Sequence, residues 1–199
     1  LWYYVAPGKI LPADTRTPWH TIFDHLYATA LTVNLLNLSD PKRLSGFLVF
    51  IDIGGIQKYI SASRKTKDLW ISSYFLSLIS WYIVSRFIEE YGPDVLLLPT
   101  TRSNPFFLTF ILSSKKYGEL LEEFCTKVLG KEFTAALMKF YNLPLAPRIP
   151  PYGVIPTTIT LILPKFEPFD EPRKIIDEVR KRFFEAWRLI VEDIAIAYD

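Results

Sequence analysis

The chain is short of cysteine, histidine and glycine. Among its 199 residues there are one cysteine, Cys125, two histidines and 8 glycines. A single cysteine cannot close an internal disulfide, which excludes a secreted fold held together by disulfides and favours a reducing, cytoplasmic compartment. We expect Cys125 to be a small buried residue on a helix. Residue 1 is leucine rather than methionine, so we expect the chain to be a piece of a longer protein.

An excess of either charge is also lacking. Lysine and arginine number 23 against 21 acidic residues, and 50% of the chain is hydrophobic. This composition excludes a disordered tail and a polycation that would coat nucleic acid along its whole length.

A long uninterrupted apolar run is absent as well. The nearest candidate, Leu69 to Ile88, approaches the roughly 20 residues that a membrane span needs, but it contains five serines and Arg86. Ser73, Ser77 and Ser80 share one helical face, where small side chains would let a neighbouring strand approach closely. We therefore predict a buried helix and no membrane contact.

Hydrophobic periodicity predicts alternating helices and strands. Helices are expected over His20–Leu36, Ile56–Ala62, Leu69–Tyr91, Lys115–Tyr141 with a break at Gly130, and Arg173–Tyr198; strands are expected over Phe47–Ile53, Val95–Leu98, Phe106–Leu112 and Thr157–Leu163. The apolar run of Phe47–Ile53 is typical of a strand covered on both faces. The predicted apolar face of the last helix consists of Ile176, Val179, Phe183, Trp187, Ile190 and Ile194, with its Arg, Lys and Glu residues, Arg182 among them, in solvent.

Composition changes divide the chain into three parts. The predicted linker Asn37–Ser45 closes an N-terminal arm and helix, residues 1–45, and the proline-rich stretch Pro144–Pro156 closes a helical insertion, residues 115–153. Residues 46–114 and 154–199 remain as an α+β domain. Its order of strand, helix, strand, strand and helix suggests a sheet with helices on one face, as in ferredoxin-like and palm-type folds.

The most informative stretch is FLVFIDIGGIQKYISASRKTKDLW, residues 47–70. It places Asp52 at the end of a strand and before the glycine pair Gly54-Gly55. Free backbone N–H groups from Ile53 to Gln57 would follow at a helix start, where phosphate oxygens bind. A carboxylate beside such N–H groups can hold Mg²⁺ that bridges to phosphates. The alternative is an aspartate that only caps the next helix.

Cationic residues follow this turn in Ser63-Arg64-Lys65 and at Lys67. They could support the same phosphate site, and the alternative is a solvated basic corner.

A second candidate site is the group His20, Asp24 and His25. His20 and Asp24 lie four residues apart on one helix face, as metal ligands can. His25 lies roughly 140° from His20 around the axis, so the three cannot converge on one ion. Helix capping and packing is the alternative.

A nucleic-acid contact is a third candidate. Arg102 and Asn104 stand in a polar loop before two phenylalanines, and basic and aromatic residues together can bind single strands. A loop that covers apolar strands is the alternative.

The sequence resembles a known family. The strings DIGGIQKYI, SRKTKDLWISSYFLS and EEYGPDVLLLPTTRSNPFF are similar to the first palm domain of the large subunit of type III CRISPR effector complexes, nearest to the Cmr, or type III-B, branch. Upstream, PADTRTPWHTIFDHLYAT is similar to the segment that joins that subunit's HD-type region to the palm. The similarity covers most of residues 12–112.

The resemblance implies a palm related to GGDEF and nucleotidyl-cyclase domains. Two such palms would pair around ATP, with Mg or Mn, to make cyclic oligoadenylates once guide RNA has captured target RNA. On this basis residues Asp52, Ile53, Gly54, Gly55, Ile56 and Gln57 would face nucleotide phosphate, and Ser63, Arg64 and Lys67 would line or support the pocket. The partners implied are the other Cmr subunits, particularly the one that adjoins the large subunit, together with crRNA and target RNA.

One departure from the family pattern limits this expectation. The Gly-Gly-Asp-Asp signature of the family's second palm is absent from the sequence, where Gly54-Gly55 is followed by Ile56-Gln57. The resemblance therefore implies half of a nucleotidyltransferase or cyclase site, and we expect this chain to be inactive alone. Two alternatives stay open: an HD-type nuclease portion that cuts single-stranded DNA, centred on His20 and Asp24, and a non-catalytic scaffold of the complex.

Overall fold

The computed structural model describes residues 21–37, 40–101, 104–113, 115–142, 153 and 155–198. The helices are α1 (Ile22–Asn34), α2 (Ile56–Ser61), α3 (Thr66–Tyr91), α4 (Pro105–Ser113), α5 (Lys115–Leu129), α6 (Lys131–Asn142) and α7 (Pro172–Tyr198). The strands are β1 (Leu36–Asn37), β2 (Asp40–Leu44), β3 (Gly46–Asp52), β4 (Leu96–Leu98) and β5 (Thr158–Pro164), and a 3-10 turn, Pro93–Val95, precedes β4. The chain is thus α+β, as predicted.

The chain divides into two compact units. The sheet unit contains the described residues of 28–101 and 153–198, and the helical unit contains those of 21–27 and 104–142. The predicted domain of residues 46–114 and 154–199 differs from the sheet unit chiefly in two places: it leaves out residues 28–45 and includes residues 102–114. The second difference follows from the prediction of a strand where α4 forms.

The sheet unit is built on three strands in the order β3-β5-β4. Strand β5 lies in the middle and runs antiparallel to both neighbours, so β3 and β4 are parallel to each other. Helix α3 connects β3 to β4. The result is a split β-α-β arrangement, with the last strand of the chain inserted between the first two strands of this sheet.

One face of the sheet and the helices α3 and α7 form the core. From β5, alternate residues Ile159, Leu161 and Leu163 are completely buried, as period-2 alternation requires. Helix α3 contributes Ile79, Ile83, Val84, Phe87 and Ile88, and α7 contributes Ile175, Ala186 and Ile190. Helix α3 passes a length and composition test for a membrane span, but half of its most apolar stretch is buried in this core.

The other face of the sheet is open. Leu48 and Phe50 of β3 are 74% and 67% exposed, and Leu98 of β4 is 62% exposed. The prediction that the first strand is covered on both faces is therefore wrong for the sheet unit. A run of consecutive apolar residues does not distinguish a strand between two layers from a strand whose second face awaits a partner.

Two of the three serines predicted to share a face of α3 are buried. Ser77 donates from its Oγ to the carbonyl oxygen of Ile155, over 2.8 Å, on the segment that leads into β5. A Cβ built on Gly153 would lie 2.7 Å from Ser77 Oγ, so this segment crosses α3 in close contact. Small residues on α3 do admit a close neighbour here, although Ser73 itself is exposed.

Two loop and strand predictions are wrong. The predicted strand Phe106–Leu112 is helix α4, because Asn104 caps the helix start and accepts the backbone N–H groups of Phe106 and Phe107. The predicted linker Asn37–Ser45 contains β2, which pairs with β1 as an antiparallel ribbon.

The predicted break at Gly130 is confirmed, with a φ of 87° at that glycine. Cys125 is buried on α5, as predicted.

The buried face of α7 is rotated from its predicted position. Ile176 and Trp187 are 49% and 41% exposed, whereas Ile175 and Ala186 are 3% and 4% exposed. Arg182 is not on the solvent face. Its Nε donates to the carbonyl oxygen of Tyr82 at 3.0 Å, and its guanidinium lies 3.7 Å from the centre of the Tyr82 ring, so a cation joins α7 to α3.

Candidate functional site

Asp52 ends β3 on the open face of the sheet. It lies opposite Thr158, the first residue of β5, and the Thr158 hydroxyl donates to Asp52 Oδ1 over 3.1 Å. The alternation that exposes Leu48 and Phe50 also exposes Asp52. The carboxylate therefore stands in solvent at the edge of an apolar surface, held by a hydroxyl that does not neutralise it.

The glycine turn follows directly. The Ile53 N–H donates to the Thr157 carbonyl oxygen at 3.1 Å, so the prediction that this amide is free is wrong: the hydrogen bonding between the two strands continues one residue beyond the end of β3. Gly55 has a φ of 81°, a left-handed conformation that glycine adopts readily, and it begins α2. The N–H groups at the start of α2, from its N-cap Gly55 to Gln57, have no partner within the helix and are the amides open to a ligand.

Helix α2 is held against α7 by an aromatic contact. The rings of Tyr59 and Trp187 meet edge to face with their centres 6.3 Å apart. This contact lies one helical turn beyond the glycine pair and packs α2 on α7. Gly54 has open space around the position that a Cβ would occupy.

The predicted supporting residues follow α2. Ser63 Oγ lies 3.4 Å from Ser72 Oγ on α3, and Arg64 and Lys67 are exposed. The backbone N–H of Lys65 donates to Asp68 Oδ2 at 3.2 Å, which caps the start of α3. The helix consequently begins at Thr66, three residues before its predicted start.

The donor set suits a metal ion that arrives with phosphate. In the described ranges there is no group of three or more His, Cys, Asp or Glu side chains that could hold a metal. Asp52 therefore offers one carboxylate, and Mg²⁺ is commonly held by one or two carboxylates together with phosphate oxygens and water. Asp52 with the turn fits a magnesium nucleotide, and does not fit a resident metal held by protein alone.

The second candidate site is described only in part. His20 lies outside the described residues. Asp24 accepts the backbone N–H of Thr21 at 3.1 Å and its hydroxyl at 2.7 Å, and the Thr21 hydroxyl accepts the Asp24 N–H at 3.3 Å. This is a reciprocal cap at the start of α1, the structural role given as the alternative. His25, on the same helix, is exposed.

The third candidate site, Arg102 and Asn104, is also described only in part. Arg102 lies outside the described residues, as do most residues of the proline-rich stretch Pro144–Pro156. Asn104 is buried and caps α4 through its side-chain oxygen. Its predicted nucleic-acid contact stays a prediction.

Sequence reasoning did not identify Thr158 as a partner of Asp52. The two residues are 106 positions apart, and only the register of β3 on β5 brings them together. The alternating, β-branched pattern of residues 157–163 signals a strand, but it carries no information about which strand it pairs with.

Comparisons with known proteins point in one direction. Residues 48–192 match the family described as CRISPR-associated protein Cmr2, N-terminal. The CRISPR system CMR subunit Cmr2 of Saccharolobus solfataricus is 40% identical over 191 residues, which is 92% of this chain and 18% of that protein. The CRISPR system Cmr subunit Cmr2 of Pyrococcus furiosus is 38% identical over 111 residues, 56% of this chain and 12% of that protein.

Two solved structures agree with these sequence relatives. A type III-B Cmr-beta structure in the apo state superposes with a TM-score of 0.67 at 41% identity, covering 91% of this chain and 18% of the matched chain. A type III-B Cmr-beta structure bound to cognate target RNA gives a TM-score of 0.68 at 39% identity, covering 93% of this chain and 19% of the matched chain. The chain thus spans less than a fifth of the length of the proteins it matches.

Proposed function

The chain belongs to the family of the N-terminal region of CRISPR-associated protein Cmr2, and we propose that it serves as the first palm of the large subunit of a type III-B effector complex. In this role it binds ATP with Mg²⁺ at the Asp52 turn and pairs with a second palm that carries the catalytic carboxylates. The observation that carries the proposal is the exposed Asp52 carboxylate, fixed by Thr158 at the edge of an open sheet and followed directly by a glycine turn.

The architecture supports a palm assignment. Strands β3 and β4, joined by α3 and separated by the antiparallel β5, make a split β-α-β unit with helices on one face. That unit is a component of ferredoxin-like folds. The relation to GGDEF and cyclase palms is part of the proposal.

The proposed role of each group at the site follows from its charge. When bound, Mg²⁺ would draw the phosphates to the carboxylate and offset their charge. Asp52 would hold the ion, with its orientation set by the Thr158 hydroxyl. The N–H groups of residues 55–57 would donate to phosphate oxygens. Arg64 and Lys67, both exposed, would add positive charge beyond the turn.

The whole subunit would then be a nucleotidyltransferase that makes cyclic oligoadenylates, and this chain alone would bind nucleotide without turnover. One carboxylate is insufficient for the two-metal chemistry that nucleotidyl transfer commonly uses. The proposed partners are the other Cmr subunits, particularly the subunit adjoining the large one, with crRNA and target RNA reached through the complex. Cytoplasmic location is part of the same proposal.

The scaffold alternative has an observation in its favour. The exposed Leu48, Phe50 and Leu98 form an apolar surface of the kind that a neighbouring protein covers. The nuclease alternative has less support, because Asp24 is engaged in capping α1.

Calorimetric titration of ATP with Mg²⁺ into the chain tests the proposal. Asp52→Asn keeps the size of the side chain and an acceptor for Thr158 but removes the charge, so we expect ATP·Mg²⁺ affinity to fall at least tenfold, about 1.4 kcal/mol. Asp177→Asn, which removes an exposed carboxylate on α7, is the matched control and should bind normally. Equal affinity of the Asp52→Asn variant and the unmodified chain would refute the metal role of Asp52.

A further inference from the structure

An exposed aromatic stack stands at the start of α3. The rings of Trp70 and Tyr74 are nearly parallel, at 9°, with their centres 5.4 Å apart. Tyr74 is half-buried, and burial raises the pKa of its hydroxyl, whereas Trp70 is 53% exposed. One face of the indole is therefore occupied by Tyr74, and the opposite face is available for a further planar group.

Exposed cations precede the stack in the sequence. Trp70 is one turn closer to the helix start than Tyr74, so the outer face of its ring lies towards Lys67 and the residues that precede α3. The basic segment, which we define as Lys58, Arg64, Lys65 and Lys67, consists of exposed residues. Residues 58–70 contain one acidic residue, Asp68, and its Oδ2 accepts the backbone N–H of Lys65.

These cations have no ion pair, which is also true of other exposed cations in the described part of the chain, such as Lys42, Arg43 and Arg180. Over the described ranges, no member of the basic segment lies within ion-pair distance of a carboxylate. By contrast Arg86, Lys127, Lys174, Lys181, Arg182 and Arg188 each lie within 4 Å of one. A cluster of like charges without counter-charges is unfavourable by itself and is relieved by a polyanion.

Stacking and charge together select the ligand. A flat aromatic face beside unpaired cations is the combination by which proteins hold single-stranded nucleic acid, with a base on the ring and phosphates on the cations. We propose that Trp70, with Lys67 and Arg64, binds a segment of single-stranded RNA by stacking one base on the indole. The choice of RNA rests on the proposed function, while the stacking geometry stands independently of the Asp52 turn.

Fluorescence anisotropy with a labelled single-stranded RNA oligomer tests this site. Trp70→Ala should weaken RNA binding about 5- to 150-fold, which corresponds to the loss of one base stacked on an aromatic ring. Trp70→Phe keeps an aromatic face and should recover most of the affinity. Lys67→Ala should lower the slope of log affinity against log salt by about 0.7, the value for one phosphate contact on a single strand. Arg188→Ala, an exposed and ion-paired cation on α7, is the control and should change neither quantity.

Trp70→Ala and Asp52→Asn separate this site from the nucleotide site, because Arg64 and Lys67 are assigned to both. Trp70→Ala should leave ATP·Mg²⁺ binding intact, and Asp52→Asn should leave RNA binding intact. Undiminished RNA binding by a folded Trp70→Ala variant would overturn the proposal, as would binding of a DNA oligomer but not the RNA of the same sequence. An equal loss of ATP binding in Trp70→Ala would assign the stack to the nucleotide pocket instead and would also overturn it.

Discussion

Ser77 and Ser80 provide an internal comparison of two buried hydroxyl groups on one helix. Ser77 Oγ donates to the Ile155 carbonyl oxygen at 2.8 Å, whereas Ser80 Oγ is buried without a hydrogen-bond partner in the described part of the chain. Ser77→Ala would leave a carbonyl of a nearly inaccessible residue unpaired, which costs about 1–3 kcal/mol. Ser80→Ala would remove a buried hydroxyl group without breaking a hydrogen bond to any described residue.

We therefore predict different effects on stability for the two substitutions. Ser77→Ala should lower the free energy of unfolding by about 1–3 kcal/mol, while Ser80→Ala should leave it unchanged or raise it by up to about 1 kcal/mol. In a chain of this size each kcal/mol moves the Tm by about 2–4 °C. Urea denaturation followed by circular dichroism measures both variants, with the m-value as a check that the native state is unchanged. Equal destabilisation by the two substitutions would refute the assignment of the Ser77 hydrogen bond as the source of the difference.

Two further predictions concern the end of α3. Asp94 is buried, and desolvation raises the pKa of its carboxyl above the ordinary 3.8 although Asn34 donates to it at 2.6 Å. The native state therefore binds the proton more tightly than the unfolded chain, so the contribution of Asp94 is greatest below pH 3.8 and falls as pH rises through the native pKa. Asp94→Asn should remove this pH dependence. We therefore expect the difference between the unfolding free energies of the variant and the parent to change with pH. A difference that is the same at every pH would contradict the raised pKa of Asp94. The Tyr91 hydroxyl donates to the Phe166 carbonyl oxygen at 2.9 Å and accepts the Phe169 N–H at 3.2 Å. The Phe169 N–H also donates to the Phe166 carbonyl oxygen at 3.2 Å, so both backbone groups keep a partner without the hydroxyl. Tyr91→Phe should therefore destabilise by about 0.5–1.5 kcal/mol in urea titrations, and an unchanged midpoint would show that the hydroxyl adds no stability.

The order of the main elements could be predicted from the sequence because each has a local cause. Gly92, with a φ of 99°, ends α3 where glycine followed by proline predicts an end, and Gly130 separates α5 from α6. Helix α4 was missed because PFFLTFILS is apolar at almost every position and has neither helical nor strand periodicity. Its capping residue, Asn104, was the available signal.

Properties that depend on distant partners could not be predicted. The exposure of Leu48 and Phe50 depends on what covers the second face of the sheet, and their hydrophobicity is the same in either case. The buried side of α7 differs from the one that periodicity predicts, and Arg182, which was predicted to lie in solvent, packs on Tyr82 instead. For the site, the aspartate and glycines were visible in sequence, whereas the Thr158 contact and the paired Ile53 amide required strand register.

The most direct test of the Asp52 turn locates the metal. Mn²⁺ can replace Mg²⁺ with ATP, and its unpaired electrons broaden the NMR signals of nearby amides. We predict selective, ATP-dependent broadening of the amide signals of residues 52–57 in the unmodified chain, absent in Asp52→Asn. Broadening centred on Asp24 and His25, or no broadening of residues 52–57 at saturating ATP and Mn²⁺, would contradict a nucleotide site at this turn.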